Sequence, residues 1–212
     1  MHARFLTGGR LETPNFIYSS PNCSMDTTST PPVILGIDPG TRYMGYAVMA
    51  GARLLAFGVA TLRNGKRPYD VIGQARKVGL ELIQQHGPDI VVIEEPLKIP
   101  TPRGSVLSVI AQEVHARADE LGIKVLEISP QEARKALTGN PLADKIAVAE
   151  YLVANGFPQL RQKLPKRPAR AALGLRAGDK YWLHAFDALA LCASVTLEKH
   201  FLKVRVETRR TP

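Results

Sequence analysis

Three carboxylates stand where a folded chain can bring them together. Asp38 ends the apolar run 33–37, Glu94 ends the apolar run 90–93, and Asp187 lies inside an apolar helical stretch with His184 three residues before it. An ionised carboxylate taken out of water needs a cation, a cluster of hydrogen bonds or residual water. For Asp38, followed by Pro39-Gly40, the ordinary alternative is an Asx-type turn in which its side chain accepts from the turn amides. His184 and Asp187 share one helix face, and no Lys or Arg occurs between Trp182 and Glu198 to neutralise the acid from its own helix. A buried neutral His184 paired with Asp187 is the structural alternative there. Read together, three acids and one imidazole suit Mg²⁺ or Mn²⁺. Two such ions about 3.5–4 Å apart activate a water and stabilise the leaving oxygen in phosphodiester cleavage. In that scheme Asp38 bridges the ions, Glu94 and Asp187 each complete one site, and His184 binds beside Asp187. Asp179, preceded by Gly178, reads as the N-cap of the last helix.

The acids meet only if the elements deliver them to one place. Residues 33–37, 43–49 and 54–62 read as three strands, the last two joined by a tight turn at Ala50-Gly51, which makes an antiparallel meander. Apolar residues at helical spacing over 69–86 end at Gly87-Pro88, and a buried strand follows at 90–94. A helix over 105–121, a strand over 124–128, helices over 130–136 (capped by Ser129) and 142–154, and a last helix over 180–202 complete the pattern. This is an α/β chain with a mixed five-stranded sheet flanked by helices. Right-handed crossovers make strands one, four and five parallel neighbours, so Asp38 and Glu94 end side by side. That edge of an α/β sheet is where sites usually form.

Composition limits the partner. The 212 residues carry a formal charge of +9, with 45% hydrophobic and 22% charged residues, which describes one globular domain attracted to an anionic partner, nucleic acid before acidic membrane. No stretch has the length and purity of a membrane span, and Cys23 and Cys192 fit reduced thiols, so a soluble protein of a reducing compartment, the cytoplasm before an organelle, is expected. Residues 1–32 read as a disordered tail, or as a mis-annotated start if Met25 begins the protein. The domain is expected over 33–203, with a basic tail over 204–212. Residues 157–180 hold seven cations against the single acid Asp179. This basic insertion is either a solvated linker or a phosphate-contacting loop built on Lys166, Arg167 and Arg170.

The stretch Ile34-Leu35-Gly36-Ile37-Asp38-Pro39-Gly40-Thr41-Arg42 with Gly45-Tyr46-Ala47-Val48, then Ile93-Glu94-Glu95, then His184-Ala185-Phe186-Asp187-Ala188-Leu189-Ala190 resembles RuvC-type Holliday junction resolvases, which are ribonuclease H-like nucleases. The resemblance covers about residues 33–200. It implies a metal-dependent endonuclease, usually a homodimer, that nicks two opposed strands of a four-way DNA junction, with Asp38, Glu94, His184 and Asp187 as the catalytic, metal-binding set. Asn140-Pro141-Leu142-Ala143-Asp144-Lys145 resembles the family segment that brings a lysine to the scissile phosphate, so Lys145 is a candidate phosphate ligand; a plain surface lysine is the alternative. Arg42, in the opening motif, joins it as a candidate substrate contact. Where the family has an aromatic wedge after Glu94-Glu95, this chain has Pro96-Leu97, and Leu97 is the candidate apolar wedge. The insertion is longer than the family's connection. The alternatives are a nuclease of the same fold acting on flaps, branched phage DNA or structured RNA, and a non-catalytic nucleic-acid-binding module. An actin-like ATPase, whose phosphate loop shares the Gly-Ile-Asp-x-Gly-Thr pattern, needs a second domain for which the chain has no room.

Overall fold

Short apolar runs separated by tight turns dictate the sheet. In the computed structural model, which describes residues 30–62, 68–95, 102–167 and 177–208, five strands lie in the order β3-β2-β1-β4-β5. They are β1 (Val33–Asp38), β2 (Tyr43–Ala50), β3 (Arg53–Thr61), β4 (Ile90–Glu94) and β5 (Lys124–Ile128). The first three form the expected meander, with β1–β2 and β2–β3 antiparallel, and Gly51 supplies the left-handed residue of the hairpin turn at φ 57°. β1 pairs in parallel with β4, and β4 with β5. Five helices complete the chain: α1 (Pro68–His86), α2 (Pro102–Glu120), α3 (Pro130–Thr138), α4 (Lys145–Asn155) and α5 (Ala177–Thr208).

The sheet has an apolar core on each face. On one, Leu35, Ile37, Val48, Val91 and Ile93 pack with Val78, Leu82, Ile110 and Val114 of α1 and α2. On the other, Ile34, Ala47, Met49 and Val92 pack with residues of α3, α4 and α5.

α1 and α2 start one and three residues earlier than read, at Pro68 and Pro102, and two further starts differ for local reasons. α4 begins at Lys145 rather than 142, because Asp144 is its N-cap and accepts from the Ala147 N–H at 2.8 Å. α5 begins at Ala177, so Asp179 lies in its first turn instead of capping it. The same helix continues to Thr208, past the expected end near 202, since no Gly or Pro interrupts 179–208. Most of the expected tail over 204–212 is therefore helical. The Ser129 cap of α3 is as read, with a full capping box to Glu132.

The basic insertion starts as structure rather than as linker. Pro158–Lys163 form a 3₁₀ helix whose Leu160 is fully buried and sits in the core with Phe157. Residues 168–176, including Arg170, lie outside the described residues, as do Leu97, Cys23 and the segment 1–29.

Candidate active site

Strand register places the first two acids. Ile37 pairs with Ile93, so the residues that follow, Asp38 and Glu94, end neighbouring strands at one level. Strand side chains alternate, and since Ile37 and Ile93 face α1 and α2, both acids face the α5 side. Asp38 is 5% exposed.

The third acid arrives because α5 rests almost directly on strand backbone. A Cβ on Gly45 would fall 1.9 Å from the His184 carbonyl oxygen, and one on Gly36 would fall 2.3 Å from that of Ala188. Only glycine permits either approach. With the helix this low, Ala185, Ala188 and Cys192 fill the interface, and the reduced Cys192 thiol lies 3.5 Å from the Ala47 carbonyl oxygen. His184 and Asp187 are thereby carried over the strand ends.

Polar partners divide among the acids in an order that the helix pattern does not reveal. His184 Nδ1 lies 2.6 Å from Asp38 Oδ2, so the imidazole of α5 serves the strand acid rather than Asp187 on its own helix. With the carboxylate accepting, Nδ1 is the donor of this bond. Asp187 is instead paired with the Lys145 ammonium from the first residue of α4. Lys145, with its side chain 44% exposed, is thus ion-paired to the helix acid, and the Asp144 cap fixes where its helix starts.

The electrostatics of these groups follow from their shared surroundings. Burial pushes the Glu94 carboxyl up to about 8, and the negative charges of Asp38 and Asp187 add to the rise while Lys145 and Arg134 oppose it. Burial likewise pushes Asp187 up to about 6, against the cationic pull of Lys145 and with the repulsion of Asp38. Burial disfavours the Lys145 ammonium, yet the surrounding Asp187, Asp38 and Glu94 raise its pKa overall. Arg134, on α3, enters this field with no motif to announce it. Among the described residues no three His, Cys, Asp or Glu side chains are already arranged as an ion cage: Lys145 and His184 each hold one carboxylate. Carboxylate oxygens are the donors that a hard divalent cation takes, although among the described residues they are not gathered closely enough to hold one. Three acids converge in a buried place, two of them with raised pKa values, and a cation would relieve that repulsion.

The remaining candidates are spread around this centre. Arg42 is exposed in the turn after β1, with its guanidinium 5.4 Å from the Tyr43 ring centroid. Lys166 is exposed, and its backbone N–H points to Asp179 Oδ1 at 3.5 Å. Arg167 is committed to protein acids, bonding Asp144 at 3.1 Å and Glu150 at 2.8 Å. The sequence reading gave Tyr43 only a strand, yet it packs against the His184 ring at 5.8 Å.

A central β1 with β2 and β3 antiparallel on one side and β4 and β5 parallel on the other, and acids from β1, β4 and the last helix, defines a ribonuclease H-like fold. The family model described as crossover junction endodeoxyribonuclease RuvC matches residues 34–175. That match includes Asp38, Glu94 and Lys145 and stops before His184 and Asp187. The crossover junction endodeoxyribonuclease RuvC of Alkalilimnicola ehrlichii is 31% identical over 172 residues, covering 75% of this chain and 95% of that protein. The protein of the same name from Hyphomonas neptunium is 32% identical over 173 residues, covering 78% and 92%. Among solved structures, T. thermophilus RuvC in complex with Holliday junction substrate shares the fold at a TM-score of 0.59 and 22% identity, covering 80% of this chain and 96% of that one. The chain belongs to the RuvC family of crossover junction endodeoxyribonucleases, a family that depends on divalent metal.

Proposed function

We propose that this chain cuts four-way DNA junctions, nicking opposed strands by metal-assisted hydrolysis as a homodimer. The observation that carries the reading is the descent of α5 onto Gly36 and Gly45, which brings Asp187 into the electrostatic field of Asp38 and Glu94. Two Mg²⁺ or Mn²⁺ ions, held by Asp38, Glu94, Asp187 and the His184 Nε2 nitrogen, would supply water activation and charge stabilisation at the leaving oxygen. The protein's own groups do the positioning. His184 orients Asp38 through Nδ1, and Lys145 both balances Asp187 and places a positive charge where a scissile phosphate enters. Arg42 and Lys166, both exposed, offer phosphate contacts beyond the centre. A four-way junction has two-fold symmetry, and two copies of one site related by the same symmetry would make the paired cuts. This activity puts the protein with chromosomal DNA, in the nucleoid of the cytoplasm.

The test is a cleavage panel of four-way junction, flap, linear duplex, single strand and RNA hybrid, each with Mg²⁺ and with Mn²⁺. Paired nicks confined to the junction are expected. Equal cutting of duplex and junction, or no cutting of any DNA, would remove the assignment.

A further inference from the structure

A line of aromatic rings runs from the site across β2 toward the edge strand β3, under the start of α5. The His184 ring lies 5.8 Å from Tyr43, and Tyr43 meets Tyr181 edge-on at 5.3 Å. Tyr181 meets Trp182 edge-on at 5.3 Å, and Trp182 stacks on Phe57 at 5.9 Å with only 6° between planes. Each end of this line carries a cation: Arg42 over Tyr43 at 5.4 Å, and Lys163 Nζ over Trp182 at 3.7 Å. Neither cation has a carboxylate partner among the described residues.

Three features say what covers this edge. Lys163 is partly desolvated by its position on the indole, which holds its pKa below the ordinary lysine value, so an anion there would supply a missing counter-charge. The edge is also closed to a peptide strand in part, because the Tyr181 hydroxyl donates to the Val59 carbonyl of β3 at 2.9 Å. Finally, the length fits a nucleic-acid strand. Tyr43 stands opposite Thr61 and Phe57 opposite Ala47. That is four residues along β3, or ~13 Å, enough for a short run of a few nucleotides of one strand.

We infer that the edge formed by Tyr43, Tyr181 and Trp182, with Arg42 and Lys163 at its ends, is the track along which one strand of a DNA arm leaves the active site. Phosphates meet the two cations, which the faces of Tyr43 and Trp182 hold in place, and sugars lie against the exposed rims of the half-buried rings. The inference rests on the DNA-cutting reading above and gives a task to the start of the basic insertion, since Lys163 ends its 3₁₀ helix.

Trp182 is the only tryptophan in the chain, so its emission reports on this edge alone. The full chain is titrated in chelator, where it cannot cut, with a four-way junction and with a linear duplex. Junction binding is expected to quench Trp182 saturably. Lys163→Gln is expected to weaken binding about tenfold and to reduce the slope of log affinity against log salt by about one. Lys163→Arg should restore both, whereas a lysine that merely fastens the 3₁₀ helix would lower Tm and leave the slope alone. Arg42→Gln provides the same slope measurement at the other end, independent of that helix. An unmoved emission at saturation, or slopes unchanged in both Gln variants, overturns the track. Wild-type cleavage with metal is scored separately. Its absence retires the junction-cutting reading, while normal cleavage with unmoved emission and slopes retires the track alone.

Discussion

The two faces of the sheet are packed on opposite principles. Against α1 and α2 the strands offer Leu35, Ile37, Val91 and Ile93, and the gap is filled by large branched side chains from both sides. Against α5 they offer Gly36, Gly45 and Ala47, and the helix answers with Ala185, Ala188 and Cys192. The first arrangement maximises buried apolar area and tolerates adjustment. The second gives up side-chain volume to bring a helix backbone within reach of strand ends, and the acids sit on that side. Both faces carry an apolar core, and it is the close backbone seam with α5 that also positions the acids.

The largest effect should come from the acids themselves. Asp38→Asn is expected to reduce junction cleavage by at least about 10³-fold while leaving binding in chelator intact or tighter, since it weakens metal affinity and removes a charge that repels phosphate. Retained cutting would break the contrast at its root. Next come the glycines. Gly45→Ala forces a methyl into the His184 carbonyl and must lift α5. It should cost about 1–3 kcal/mol in denaturant unfolding and on the order of 10² in cleavage. Leu82→Ala, on the other face, should cost about 2–5 kcal/mol but leave cleavage per folded molecule unchanged well below Tm. Similar activity losses in both variants would show that the faces are not separable.

A pH series sharpens the same contrast. Glu94 leaves its ordinary value of 4.5 for about 8 in the folded chain, so the folded state holds more protons than the unfolded one between those values. The stability that this group contributes is complete below the lower value and is lost as pH rises through the upper one. Tm in chelator should fall between about pH 5 and about pH 8, and Glu94→Gln should flatten the fall. Added Mg²⁺ or Mn²⁺ competes with the proton and should raise Tm more at the alkaline end. The smallest effect is expected at Arg167. Because its guanidinium is already held by Asp144 and Glu150, Arg167→Ala should leave the salt dependence of DNA affinity nearly unchanged, whereas Lys166→Ala should lower it.

The strands and most helices were legible in the sequence because their signals are local. Buried apolar runs over 90–93 and 33–37, a Gly turn at 51 and a Ser-Pro start at 129–130 each identify their own element. The meeting of Asp38 with Glu94 was also legible, since crossover handedness leaves little choice of strand order. Pairings across elements were not. Helical spacing shows that His184 and Asp187 share a face, but it cannot show that the imidazole reaches β1 while Lys145 crosses from α4 to take Asp187. In the same way, a run of cations between 157 and 180 suggests phosphate, and only the fold shows that Arg167 is occupied by two acids. The glycines of the opening motif read as turn and strand residues; their role is clear only once a helix lies on them.

The contact between Gly45 and the His184 carbonyl has a thermal consequence. The spacing of the acids is set where main-chain atoms touch, not by side chains that change rotamer as the molecule warms. The centre should therefore hold its shape on warming until the sheet itself gives way.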